Sequence, residues 1–91
     1  MRTPIFLKKF KKELEKCRKR GLDVQDLRVV LERLINDEPL EVRHRPHLLS
    51  GNYVNHWECH IRPDWLLIYV LDDEENTISL VRTGTHSDLF D

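Results

Sequence analysis

No apolar run in this chain approaches the roughly 20 residues that a membrane-spanning helix needs, and its start does not read as a signal peptide. Cysteine is scarce. Cys17 and Cys59 have neither metal-ligand spacing nor the density of a disulfide scaffold, so reduced thiols in a cytoplasm are expected. There is no internal repeat, low-complexity tract or linker, and 91 residues leave room for one domain, residues 1–91, with one modest core. What remains is a chain of ordinary globular composition, 40% hydrophobic and 34% charged.

The near-neutral total hides a division. Fifteen Lys and Arg face sixteen Asp and Glu, yet residues 1–20 hold nine of the cations and only Glu13 and Glu15 as acids. Residues 72–91 reverse the balance, with Arg82 the lone Lys or Arg. A basic segment of this kind suits a polyanion, because phosphate neutralisation supplies affinity without reading a sequence. It equally suits a solvated helix surface.

The most informative stretch is Trp57 to Val70. Its second half, Trp65 to Leu71, is unbroken, aromatic and branched, and reads as the central strand of a sheet. Arg62-Pro63-Asp64 has turn chemistry, and Val54 to Ile61 reads as the preceding strand. The resulting hairpin carries His60 and Asp64 at its tip. Upstream, Thr3 to Phe6 suits an edge strand, where Pro4 does least harm. Leu7, Phe10, Leu14 and Cys17 then form one apolar face of a helix that ends at Gly21. Asp23 reads as the N-cap of a second helix with a stripe of Val24, Leu27, Val30, Leu31 and Leu34. Two such helices on so short a turn should pack as a hairpin on the sheet. From Asn36 to Asn52 periodicity fails, which predicts a long loop carrying His44, Arg45 and His47. Thr77 to Arg82 alternates as a last strand, and Gly84 allows a sharp exit toward His86.

Chemistry in this chain rests on His47, His60, Asp64, Arg82 and His86. Two imidazoles near one phosphodiester can act as general base and general acid at neutral pH, and an arginine can neutralise charge growing on the phosphoryl oxygens. Such a set would turn an RNA 2′-hydroxyl on its own phosphate without a metal. The spacing alone leaves this open. His56 and His60 with Glu58, joined by His47 or His86, compose a zinc alternative, but H-x-x-x-H falls here on a strand instead of a helix. Trp57 and Trp65 read as packing residues, Tyr53 as core or as a stacking surface, Cys59 as buried and inert, and His44 and His56 as surface histidines.

Three segments in order, P-H-L-L-S-G, E-C-H-I-R-P-D-W-L-L-I-Y and R-T-G-T-H-S-D-L-F, follow two helices and together closely resemble the YafQ branch of the RelE/ParE toxins. The resemblance spans essentially the whole chain. It implies an α+β fold in which two N-terminal helices pack on a small twisted, mainly antiparallel sheet, with a short C-terminal helical turn. It also implies an mRNA endonuclease acting in the ribosomal A site without a cofactor, silenced by a cognate antitoxin. The free toxin is expected to be a monomer, and a hetero-oligomer with that antitoxin.

By the same resemblance His86 is the proton donor to the leaving 5′-oxygen. His47 or Asp64 assists removal of the 2′-hydroxyl proton, His60 orients or neutralises the phosphate, Arg82 completes the site, and Trp65 and Phe90 place the message. Leu48 follows His47 where the family often has proline, and Tyr53 stands where many relatives carry tryptophan. Lys8, Lys9, Lys11, Lys12, Lys16, Arg18, Lys19 and Arg20 would then face ribosomal RNA. ParE-like toxins, which bind DNA gyrase and cut no RNA, need no such set of histidines. A catalytically silent module that only pairs with an antitoxin is the third reading.

Overall fold

The apolar run of residues 65–71 becomes the middle of a five-stranded sheet. In a computed structural model, which describes residues 1–90, the strands are β1 (Thr3–Phe6), β2 (His47–Leu48), β3 (Trp57–Arg62), β4 (Trp65–Asp72) and β5 (Thr77–Gly84). Their order is β1-β5-β4-β3-β2. β1 lies parallel to β5, from Thr3 opposite Thr77 to Phe6 opposite Leu80, and the other pairings are antiparallel. The expected edge strand, central hairpin and mainly antiparallel α+β fold are all present.

Both faces of β4 are buried, which is why its sequence does not alternate with polar residues. Trp65, Leu67 and Tyr69 enter a core with Cys59, Ile61, Ile78 and Leu80. Helices α1 (Lys8–Lys19) and α2 (Val24–Ile35) close that core with Phe10, Cys17, Leu27, Val30 and Leu34. Gly21 takes the left-handed φ of +92° that ends α1, and the Asp23 carboxylate caps α2 by accepting the Gln25 N–H at 2.9 Å. Leu66 and Ile68 turn to the other face, where Leu89, Leu49, Tyr53 and Val81 cover them.

Three departures from the expected layout matter for function. The segment 36–52 is not featureless: it contains 3-10 turns at Val42–His44 and Gly51–Tyr53, and between them β2, which sets His47 opposite Glu58. β3 starts at Trp57 rather than Val54, because Asn55 sits at a φ of +68° and breaks the extended run. β5 holds an extra residue: Tyr69 pairs with Leu80 and Ile68 with Arg82, so Val81 bulges and the side chains beyond it change face. Arg82 thereby joins Leu66 and Ile68, and Thr83 enters the helix-side core.

Beyond β5 a five-residue helix, α3 (His86–Phe90), closes the second face. Thr85 and Asp88 form a capping box, the Thr85 N–H donating to Asp88 Oδ2 at 3.0 Å and the Asp88 N–H to Thr85 Oγ1 at 3.1 Å. A Cβ on Gly84 would stand 2.9 Å from the Asp88 Cβ, so glycine is required there. Among the described residues no helix is long and apolar enough to cross a membrane. Phe10 is fully buried between α1 and the sheet, and Phe10→Ala should lower the unfolding free energy by about 3–5 kcal/mol, read from urea denaturation.

Candidate active site

Four elements converge on the sheet face that α1 and α2 do not cover. β2 supplies His47, β3 supplies Glu58 and His60, the β3–β4 turn supplies Asp64, and α3 supplies His86. The imidazoles form a row, with ring centroids 6.4 Å apart for His47 and His60 and 5.8 Å for His60 and His86. A carboxylate stands behind each end of the row. Glu58, buried in the sheet, places Oε1 3.2 Å from His47 Nε2 and 3.9 Å from His60 Nε2. Asp64, at the rim, accepts twice on one oxygen, from the His86 backbone N–H at 3.0 Å and from its Nδ1–H at 2.6 Å.

These contacts orient the rings. The Asp64 bond fixes the proton on His86 Nδ1 and leaves Nε2 facing outward, on a side chain 55% exposed. His60 Nδ1 lies 3.3 Å from the Pro63 carbonyl, and among the described residues its Nε2 has no hydrogen-bond partner. His47 meets an acceptor on each nitrogen, the Arg45 carbonyl at 2.9 Å on Nδ1 and Glu58 on Nε2. The His86 backbone N–H, and then its ring, hold the Asp64 carboxyl below its ordinary value.

Arg82 lies deeper, its side chain 15% exposed and bound to Glu13 of α1, with Nη2 to Oε2 at 2.6 Å. It also donates to the Tyr53 hydroxyl at 3.1 Å. The Tyr53 ring meets Phe90 and His56 edge-on, at centroid distances of 6.2 and 5.5 Å. Phe90 is about half exposed beside the row. Trp65 is not at the row. It is buried on the helix side, its indole N–H donating to Thr83 Oγ1 at 2.8 Å, so direct contact with a message is closed to it and its packing reading stands.

The chain matches the model of the family described as the bacterial toxin of type II toxin-antitoxin system, YafQ, over residues 2–91. It belongs to the YafQ toxin family. It is 35% identical over 82 residues to the mRNA interferase toxin YafQ of Escherichia coli strain K12, covering 89% of this chain and 87% of that protein. The crystal structure of a metal-bound toxin from Helicobacter pylori is 41% identical, superposes with a TM-score of 0.93 and covers 99% of this chain and 100% of that one. The toxin in the Escherichia coli DinJ-YafQ complex superposes with a TM-score of 0.91 at 33% identity, covering all of both chains.

Among the residues that a YafQ-type site leads one to expect, His47, His60, Asp64 and His86 share one surface and Phe90 borders it. Glu58, which the spacing suggests only as a zinc ligand, is the buried carboxylate joining two of the imidazoles. The signal was the alternation of Glu58 and His60 along one strand; its meaning depended on β2, whose two residues are too few for a periodic pattern. Among the described residues no three His, Cys, Asp or Glu side chains converge on one metal position, and His56 turns Nδ1 to its neighbour, the Val54 carbonyl. His44 is not a surface histidine. It is the buried residue of the turn Val42–His44, 3% exposed, and burial lowers its pKa.

The eight cations expected at RNA are all exposed, though Arg18 pairs with Glu15 and Arg20 with Asp88 at 2.6 Å. Arg20, followed by the Thr85 N–H, holds the Asp88 carboxyl far below the usual carboxylate range. A carboxylate depressed in the folded state adds stability above its unfolded value, 3.8 here, and loses it as pH falls through the folded value. The docking of α3 should therefore hold at pH 5 and weaken only below about pH 4. NMR signals of residues 85–90 followed in an acid titration would show this, and Asp88→Asn should weaken docking at neutral pH while flattening its acid dependence.

Proposed function

We propose that this chain is a ribosome-dependent mRNA interferase of a type II toxin-antitoxin system, cutting the message in the ribosomal A site in the cytoplasm. The observation that carries the reading is the row of His47, His60 and His86 with Asp64 locked to the last imidazole at 2.6 Å. In this reaction the RNA 2′-oxygen gives its proton to a base and bonds to the adjacent phosphorus. The bond to the 5′-oxygen breaks, and that oxygen takes a proton from an acid. A cyclic phosphate and a free 5′-hydroxyl result.

His86 suits the acid. Asp64 holds Nδ1–H and stabilises the imidazolium, so Nε2–H is presented to the leaving oxygen. His60 suits the base, because its Nε2 is unengaged and Glu58 lies 3.9 Å away to receive the positive charge that forms. His47, with an acceptor on each nitrogen, suits charge neutralisation at the phosphate. The hydrogen bonds therefore favour an exchange of the roles first expected of His47 and His60, while Asp64, depressed and committed to His86, is a weak base. Phe90 offers a ring for a base to stack on.

Affinity for the ribosome is assigned to α1. Its first turn carries no acid, its N-cap Leu7 offers no side-chain bond, and Lys8 and Lys9 face the positive end of the helix dipole. Such lysines oppose helix formation and serve a polyanion instead. The partner that silences the toxin is a cognate antitoxin, as in the DinJ-YafQ complex.

Purified protein added to ribosomes programmed with a defined message should yield new RNA ends in the A-site codon, and none without ribosomes. His86→Ala should slow cutting by about 100- to 10,000-fold. In the pH profile of kcat/KM, His60→Gln should flatten the acid limb and His86→Gln the alkaline limb; the opposite assignment would restore His47 or Asp64 as base. Lys8→Glu, Lys12→Glu and Lys16→Glu together should weaken ribosome binding and its salt dependence while leaving the melting curve in place. Folded, antitoxin-free protein that cuts nothing would turn attention to gyrase.

A further inference from the structure

Glu13 stands out as an acid inside the basic helix. On a surface meant for phosphates a carboxylate opposes binding, yet its side chain is 16% exposed and tightly engaged. It accepts from Arg82 Nε at 3.2 Å on both oxygens and from Nη2 at 2.6 Å, and lies 3.4 Å from the Thr83 N–H. Arg82 spends its remaining donors on the second face of the sheet. Nη1 reaches the Tyr53 hydroxyl at 3.1 Å and the Leu89 carbonyl at 3.4 Å, and Nη2 the Asp88 carbonyl at 3.5 Å. A guanidinium has five N–H donors, and each has an acceptor here, so none is left over for a phosphate.

The acceptors say what the arginine does. The last carbonyls of any helix lack partners within it, and a helix of five residues is too short to persist alone. Arg82 closes the C-terminal end of α3, as Asp64 and the capping box close its N-terminal end. His86 sits between these clamps. The same guanidinium fixes Tyr53, whose ring edge locates Phe90. Glu13 in turn holds the guanidinium, supplying the countercharge and two of the directions that set its plane.

We propose that Glu13 is a positioning residue for the ribonuclease reaction, acting through Arg82 to fix α3 and with it His86 and Phe90. The proposal rests on the reading of this chain as an mRNA interferase. It differs in sign from a purely electrostatic account of the same residue. If Glu13 only repelled RNA from α1, its neutralisation would tighten binding and leave turnover unchanged. As a positioning residue, its loss lowers turnover by letting His86 stray from the leaving oxygen.

The deciding experiment measures kcat and KM of full-length Glu13→Gln and Glu13→Asp on programmed ribosomes, alongside 1H–15N spectra of the histidine rings. Glu13→Gln should lower kcat by about 10- to 100-fold with KM within about threefold, and Glu13→Asp, which keeps the charge, should recover part of the loss. The His86 ring signals and the Phe90 backbone N–H should move, while the ring signals of His47 and His44 stay. A lower KM with unchanged kcat would overturn the proposal in favour of simple repulsion. Movement of all these signals together would overturn it in favour of general destabilisation. A wild-type protein that cuts nothing would sink the nuclease reading, and the ring signals alone would then decide the positioning.

Discussion

Because β4 is buried on both sides, its odd and even residues answer to two different packing problems. Trp65, Leu67 and Tyr69 satisfy the helices, and Leu66 and Ile68 support the face that bears the histidines. The cross-strand neighbours follow the same division. Cys59 opposite Leu67 goes to the core, and Glu58 opposite Ile68 and His60 opposite Leu66 go to the site. The polar row therefore lies on a floor whose position is set by the main core.

The chemistry on that floor depends on carboxylates at two depths. Glu58 is enclosed and close to two imidazoles, while Asp64 is at the rim and holds one imidazole by ring and backbone together. Two environments for one kind of side chain separate the ends of the row, as acid/base pairs require. Arg82 belongs to neither end. The bulge at Val81 brings it to this face, where it ties Glu13 to Tyr53 and the carbonyls of α3.

Much of this was legible in the sequence for definite reasons. The steps of Leu7, Phe10, Leu14 and Cys17 gave α1, the cap at Asp23 gave α2, and an apolar run closed by R-P-D gave the central hairpin. His60 and Asp64 followed from that hairpin, because a turn places its neighbours at one end of the sheet. What escaped was long-range or register-dependent. β2 is two residues long and gains its identity only from pairing with Trp57 and Glu58. The bulge in β5 leaves no mark on alternation that can be told from a strand end, so Arg82 could be named but its commitment to Glu13 could not. The motif that brought Trp65 forward records a side chain needed for the core beneath the site, since a matched residue need not touch the ligand.

The parallel contact between β1 and β5 joins residues 74 positions apart, Thr3 with Thr77. Closing that contact carries the loop-closure entropy of a long intervening segment, and contacts between residues so far apart slow folding. During synthesis the N-terminal strand has no sheet edge to pair with until β5 has been made. His86 follows β5 directly, so its pairing with Asp64 is among the last contacts to become available. A growing chain thus carries no assembled row of imidazoles until residues 77–90 are free to fold, however early the rest of the sheet is made.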